Sequence, residues 1–221
     1  MTDRSTDGWR VVRPDREGRP THDRLGEAAL YAMFWYQSFY TDHESPIIPC
    51  EAAYRTPNSR TLVDYSHPIT AGWDGDALLP YAAAGETGAE SVTAVPRGYV
   101  WKLAWDRPAD ARTFADAYRE LLSIHGASRV SNSTDTYRIP ETSGFAGVTS
   151  LRVTNATVLV VKGPSVEAVR EIRPGAVPDA VSADAGQDDT TGVRGPGLGV
   201  VAVLVGLATV AALVVLARRR R

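Results

Sequence analysis

The sequence predicts an α+β fold, an antiparallel or mixed sheet with helices packed on one face, followed by one C-terminal transmembrane helix. Two observations support this prediction. From Tyr99 onward the pattern reads strand, helix, three strands and helix, an order typical of α+β domains. Near the end of the chain, Leu198 to Ala217 form a run of 20 residues without a charge, long enough as a helix to span a bilayer of about 30 Å.

The first predicted helix begins near Thr21 or Asp23 and ends near Tyr40, after a polar segment over residues 1–20 that we expect to be irregular. Apolar residues recur within it at spacings of three and four. Four aromatic side chains widen the apolar face beyond one stripe: Tyr31, Phe34, Trp35 and Tyr40. We therefore expect burial on more than one side, either by the core of this domain or by a partner domain.

Residues 41–67 contain several prolines and predict loops, and the run Gly72 to Asp76 predicts a turn. Strands are predicted over Ala77–Ala82 and Tyr99–Trp105, the second being rich in aromatic and β-branched residues.

The clearest helix follows, with Asp106 as the candidate N-cap and Pro108 in its first turn. Gly126 is placed to end it, and His125 is predicted to cap its last turn rather than to bind a ligand.

Three strands and a short helix complete the predicted domain. The strands are expected over Thr136–Ile139, Val148–Thr154 and Thr157–Val161, with a tight turn at Asn155-Ala156. The helix is expected over residues 164–172, with its cap near Gly163.

The predicted organisation has an α+β surface domain over residues 21–172, an acidic flexible linker over 173–194 and a membrane segment over 195–217. The four arginines at 218–221 follow that segment. Because Lys and Arg beside a span stay on the cytoplasmic side, Arg218, Arg219, Arg220 and Arg221 are expected inside and the main domain outside. The charged first 30 residues do not resemble an export signal. We expect that the true N-terminus is missing; the alternatives are export by a route that the sequence does not show, and a domain that stays inside.

The charge of the chain argues against nucleic acid as a partner. Residues before Arg194 contain 19 basic and 26 acidic residues, a net charge of −7, whereas phosphate binding needs a basic face.

Motifs that carry catalysis or bind metals and cofactors are not found. Cys50 is the single cysteine, which forms no internal disulfide and no structural zinc site. The four histidines do not form a pair four residues apart on a predicted helix, and no phosphate-binding or dinucleotide fingerprint is present. We therefore predict no catalytic residue, no metal ligand and no cofactor, and a protein that is not an enzyme.

Two asparagine sequons, Asn132-Ser133-Thr134 and Asn155-Ala156-Thr157, fall in predicted turns. On an exterior domain both are candidate glycosylation sites, with Asn132 the better one. The alternative is that both are ordinary turn asparagines.

Several segments together resemble the C-terminal half of a haloarchaeal cell-surface protein family. They are Gly8–Pro14, Leu25–Tyr36, Gly72–Asp76, Tyr99–Leu122, Tyr137–Pro140 and Val158–Val169. Full-length members resemble exported, membrane-anchored proteins whose N-terminal half carries a secretion signal and the two-histidine zinc motif of metallopeptidases. The resemblance implies that this chain corresponds to the non-catalytic half, and none of the zinc positions is present in it.

The tail resembles the C-terminal sorting signal of haloarchaeal surface proteins, a Pro-Gly-Phe triplet before an apolar span and an arginine cluster. Here the triplet is Pro196-Gly197-Leu198. The resemblance implies removal of the tail by a membrane sortase and its replacement by a lipid. Because leucine stands in place of phenylalanine, retention as a membrane span stays an open alternative.

Taken together, these patterns predict a membrane-anchored archaeal cell-surface protein with a non-catalytic accessory or interaction domain. The expected partners are the membrane, through a single C-terminal span, and a surface protein. Two alternatives remain open: one fragment of a split surface zinc metallopeptidase whose catalytic half is encoded separately, and a truncated relic.

Overall fold

Seven strands form one antiparallel sheet in the residues that the computed structural model describes, which are 6–12, 22–44, 47–53, 66–84 and 97–177. The strands are β1 (Trp9–Val11), β2 (Trp73–Ala83), β3 (Gly98–Trp105), β4 (Ser128–Arg129), β5 (Thr136–Ile139), β6 (Gly147–Thr154) and β7 (Thr157–Gly163). Their spatial order is β1-β2-β3-β7-β6-β5-β4, which places β7 in the centre.

Three α-helices in the described part of the chain cover this sheet. They are α1 (Glu27–Tyr40), α2 (Pro108–Ile124) and α3 (Val166–Ile172), and a short 3₁₀ helix lies over Cys50–Ala53.

The larger core lies between one sheet face and helices α1 and α2. Phe34 of α1 and Phe114 of α2 are fully buried, with ring centroids 5.5 Å apart in an edge-to-face arrangement. Trp101 and Leu103 of β3 pack against them from the sheet. These contacts fix α1 against α2 and the sheet.

The prediction that all helices lie on one face is wrong, because α3 covers the opposite face. Val169 and Ile172 of α3 pack with Val100 of β3 and Val161 of β7 in a second core. Successive residues of a strand point to opposite faces, and the central strands are apolar on both faces. Both faces must therefore be covered, and α3 covers the one that α1 and α2 leave.

At both ends of the domain, residues that the sequence predicts to be irregular or linker belong to the folded domain. β1 lies within the segment 1–20 that we expected to be irregular, and it pairs with β2. At the other end, Ala176 and Val177 fall within the predicted linker yet are buried, and the Ser150 hydroxyl donates to the Ala176 carbonyl at 2.8 Å.

Several predicted element ends shift. α1 begins at Glu27 because Gly26 adopts a positive φ of 79°, and Asp23 instead forms a bridge with Leu78. The predicted turn at Gly72–Asp76 is mostly strand, since β2 begins at Trp73. The N-cap of α2 is Arg107 rather than Asp106.

Other predictions are confirmed. β5 has its predicted bounds, and Asn155 turns between β6 and β7 with a φ of 50°.

No helix among the described residues combines the length and the apolarity needed to cross a bilayer. The predicted span Leu198–Ala217 lies outside the described residues, as do the linker residues from 178 onward.

Candidate functional site

Three aromatic side chains of α1 project into solvent, and we name Tyr36, Phe39 and Tyr40 the aromatic ridge. They are the exposed large hydrophobic residues of the described part of the chain, with 56%, 42% and 56% of their surface accessible. Their spacing of three and four residues places them on one side of the helix. Exposed aromatic residues grouped in this way make this side of α1 the candidate recognition surface of the described residues.

Neighbouring rings support the ridge. Trp35 meets Phe39 edge-to-face with centroids 4.9 Å apart, and the His43 ring lies 5.7 Å from Phe39. The Tyr40 ring lies against His125, 4.7 Å away. These contacts restrict the rotamers of the exposed rings.

The C-terminal end of the ridge is acidic. After Thr41 the backbone passes through two left-handed residues, Asp42 with φ 50° and His43 with φ 71°, and the His43 amide donates to the Ser38 carbonyl at 2.7 Å. Asp42 and Glu44 are exposed, and neither forms an ion pair within the described residues. The stretch 27–44 contains no Lys or Arg.

A buried carboxylate holds the other end of α1. Asp76 of β2 accepts hydrogen bonds from the amides of Leu25 (2.8 Å) and Gly26 (3.0 Å) and from the Trp101 indole (3.1 Å). A negative group at a helix N-terminus satisfies free amides and interacts favourably with the helix dipole. Asp76 thus fixes Leu25 and the N-cap residue Gly26, which lead into α1, while the first turn itself has no side-chain cap.

Further contacts fix the buried side of α1. Leu30, Tyr31 and Phe34 lie in the larger core. The Ser38 hydroxyl donates to the Ile48 carbonyl at 2.8 Å, and the Trp35 indole donates to the Cys50 carbonyl at 3.3 Å. The aromatic ridge is therefore carried by a helix that is anchored along its length.

Behind the ridge lies a buried imidazole. Gln37 donates its amide group to the Met33 carbonyl at 2.9 Å, so its Oε1 is left to accept from His125 Nε2 at 3.0 Å. In neutral His125 the proton is then on Nε2, and Nδ1 is an acceptor without a partner in the described residues. Burial, followed by the charge of Lys162, lowers the pKa of His125 and favours this neutral form.

Lys162 of β7 is buried on the same sheet face, with 5% of its surface accessible. Its Nζ donates to the Phe145 carbonyl and lies 5.6 Å from the centroid of the Phe145 ring. It forms no ion pair with a described carboxylate, and burial lowers its pKa to about 8. Its cross-strand neighbour Thr149 has a buried hydroxyl with no hydrogen-bond partner in the described residues.

Two tyrosines extend this buried polar group. Tyr99 pairs with Lys162 across strands, and its hydroxyl lies 3.4 Å from that of Tyr118 on α2. Burial raises the pKa of both hydroxyls, so both stay protonated at neutral pH.

The exposed and the buried polar groups of this region differ in chemistry. The exposed groups are aromatic and acidic, whereas the titratable groups with shifted pKa behind them, Lys162 and His125, are more than nine-tenths buried. Within the described residues no three His, Cys, Asp or Glu side chains are grouped so that they could hold a metal ion.

The sequence-predicted sites fall in three places. His125 holds the C-cap position of α2, but its ring bonds to Gln37 of α1 and burial lowers its pKa, so it is not the cationic cap of the last turn that we expected. Asn132 and Asn155 lie on exposed turns with φ of 58° and 50°, so both sequons are accessible, while their glycosylation stays a prediction. The sorting triplet Pro196-Gly197-Leu198 and the arginines at 218–221 lie outside the described residues.

Sequence reasoning missed Asp76 and Lys162. A signal for Lys162 exists, because extending the alternation of Val158 and Val160 by two residues places it on the buried face. Asp76 was assigned to a turn, and its contacts with Leu25 and Gly26 join residues about 50 positions apart, which no local pattern reveals.

Comparison with known proteins gives one match. Residues 10–173, about three quarters of the chain, match the model of a family described as "Domain of unknown function (DUF8575)". The match begins inside β1 and ends directly after α3, so it coincides with the sheet and its helices. No curated protein and no solved structure matches the chain.

Proposed function

This chain belongs to the DUF8575 family, and we propose that it is a non-catalytic, membrane-anchored domain of the archaeal cell surface that binds a partner protein through the aromatic ridge. The observation that carries this proposal is the exposure of Tyr36, Phe39 and Tyr40 on an otherwise well-packed helix.

Exposed aromatic residues on a rigid helix support an interaction role. Tyr, Trp and Phe are enriched at the centres of protein interfaces, where a few residues supply most of the binding energy. Covering the ridge would also remove from water the aromatic surface that α1 leaves exposed.

The sequence supports the membrane attachment. The uncharged run Leu198–Ala217 and the arginines after it are typical of a span with a cytoplasmic end, which leaves the α/β body outside. In this orientation the exposed sequons Asn132 and Asn155 face the compartment where glycans are added, and we propose that Asn132 carries one. The partner that the family resemblance suggests is a separately encoded zinc-peptidase half.

The experiment compares complexes extracted with mild detergent from membranes of the native host. The tagged chain, its Tyr36→Ser/Phe39→Ser variant and an Ala28→Ser variant, which alters another exposed position of α1, are resolved by native electrophoresis. We expect the tagged chain and the Ala28→Ser variant to migrate as a complex with a second polypeptide. The double variant is expected to lose that complex, with an affinity reduced at least about tenfold.

A complex that persists in the double variant, or wild-type protein that migrates alone, would contradict the proposed interaction. Thermal unfolding followed by far-ultraviolet circular dichroism verifies that the double variant retains its fold, which we expect because both changed side chains are exposed.

A further inference from the structure

We infer that the partner presents to the aromatic ridge an amphipathic helix with Arg or Lys at its rim. This inference rests on the proposed interaction and adds the chemistry of the partner. It follows from the shape of the ridge and from the charge around it.

The shape of the ridge suits a helix. Tyr36 and Tyr40 are four residues apart, so their side chains form a row along α1, with Phe39 beside them. Rows at this spacing pack into the groove between side-chain rows of a second helix. Recognition of an amphipathic helix by an apolar surface is a recurrent mode of protein binding.

The charge around the ridge selects a cationic rim. Asp42 and Glu44 are exposed where α1 ends, and the helix dipole adds partial negative charge at that end. The last turn of α1 contains no basic residue that would neutralise it. Opposite charges on the partner would therefore both speed its approach and fix its orientation.

The exposed rings favour the same kind of partner. Tyr36 and Tyr40 each have more than half of their surface accessible, so part of each ring is free to receive a cation. An Arg or Lys within about 6 Å of such a ring is attracted by its negative face.

Charge argues against the other candidate occupants. Anionic lipid headgroups and nucleic acid phosphates would both be repelled by Asp42 and Glu44. A second copy of this chain would bring two acidic helix ends to the same interface if the ridges met face to face. A basic helix is the occupant whose charge complements the two carboxylates described at this end of α1.

The test uses the full chain in nanodiscs of zwitterionic phosphatidylcholine, with the signal of empty nanodiscs subtracted. The probe is a synthetic helical peptide of about 18 residues, with leucines on one face and arginines at the rim. A second peptide has glutamate in place of every arginine. Binding is measured by fluorescence anisotropy at low and at high salt.

We expect the arginine peptide to bind and the glutamate peptide to bind at least about tenfold more weakly. The Asp42→Asn/Glu44→Gln variant is expected to weaken the arginine peptide about fivefold at low salt, with little effect at high salt. The control variant Glu120→Gln/Glu141→Gln removes two exposed carboxylates elsewhere and is expected to bind like wild type.

The inference would be overturned if the two peptides bound with equal affinity. It would also be overturned if Asp42→Asn/Glu44→Gln and Glu120→Gln/Glu141→Gln lost the same affinity for the arginine peptide. If charge has no effect but the native complex still depends on Tyr36 and Phe39, the interaction role stands and only the basic helix is wrong. If the native complex does not depend on them either, the ridge is not an interface and both proposals fail.

Discussion

At the scale of single residues, Asp76 controls how α1 begins. Its two carboxylate oxygens accept three hydrogen bonds, two of them from the amides of Leu25 and Gly26, directly before the first residue of the helix. Hydrogen bonds to a charged group each contribute about 1.5–3 kcal/mol, more than neutral ones. The position of the aromatic ridge therefore depends on a side chain more than 30 residues away in the sequence.

Replacing Asp76 by Asn is expected to lower the free energy of unfolding by about 2–3 kcal/mol. The NH₂ group of Asn donates and cannot accept, so at least one of the donors at Leu25, Gly26 and Trp101 loses its partner. Urea denaturation measures the change. Asp74→Asn, two residues earlier and exposed, is the matched control and should stay within about 0.5 kcal/mol of wild type.

Lys162 predicts a pH dependence of stability. Burial lowers its pKa from 10.5 to about 8, so between these values the unfolded chain binds more protons than the folded one. The buried ammonium charge lowers the free energy of unfolding, and this penalty is fully present below about pH 8. As Lys162 loses its proton, the free energy of unfolding should rise between about pH 8 and 10.5.

The measurement compares the free energy of unfolding of wild type and Lys162→Met between pH 7 and 9.5. Over this range wild type should gain about 2 kcal/mol relative to the variant. This range lies above the titration of His125, whose pKa is lowered, and below that of Tyr99 and Tyr118, whose pKa values are raised. Parallel profiles of the two proteins would show that Lys162 is not desolvated in the folded state.

At the scale of elements, the close approach of α3 to the sheet depends on Gly98 in β3. A Cβ added there would lie 2.7 Å from the Lys162 carbonyl oxygen and 2.5 Å from Cδ1 of Ile172. Both distances are shorter than van der Waals contact, and the carbonyl belongs to the neighbouring strand. The Ile172 methyl can shift by a side-chain rotation, but the carbonyl is part of the backbone, so β3 and β7 would have to separate locally to make room.

We expect Gly98→Ala to destabilise the domain by about 2 kcal/mol through overpacking. Gly75→Ala is the control, because it lies in β2 and a Cβ there would meet no atom within 4 Å. Thermal unfolding of the two variants tests the difference. Equal stability of both would mean that β7 and α3 do not approach Gly98 as closely as described.

Elements with strong local patterns were predicted from the sequence. α2 combines an apolar face with helical spacing, Pro108 in its first turn and Gly126 after its last, and it lies where these signals place it. β5 and the turn at Asn155 follow equally local rules.

Features set by distant contacts were not predicted. β1 is a short polar-flanked strand that is recognised only through its pairing with β2, and Ala176 and Val177 become buried only because α3 leads them back to the second core. The placement of α3 on the opposite face also depends on which strands are central, a property of topology rather than of any one segment.

The exposure of the aromatic ridge is another feature that the sequence predicts only in part. The excess of aromatic residues in α1 predicted burial on more than one side, and the structure divides them, with Tyr31 and Phe34 inside and Tyr36, Phe39 and Tyr40 outside. The sequence could not make this division, since it depends on how α2 and the sheet contact α1.

At the scale of the whole molecule, the proposals combine a rigid body with a membrane attachment. The body is the antiparallel sheet with helices on both faces, and the attachment is the apolar segment Leu198–Ala217. If the body lies outside the cell, the ridge faces other surface proteins, and the acidic charge of the domain suits that location better than contact with nucleic acid.

Labelling of intact cells with a membrane-impermeant maleimide tests this arrangement most directly. The native cysteine is removed by Cys50→Ser, and a single cysteine is introduced by Glu120→Cys at an exposed position of α2, away from the ridge. A matched protein carries its single cysteine after Arg221 instead. We predict that the cysteine on α2 is labelled on intact cells and the C-terminal cysteine only after lysis; a cysteine on α2 that is labelled only after lysis would contradict the account.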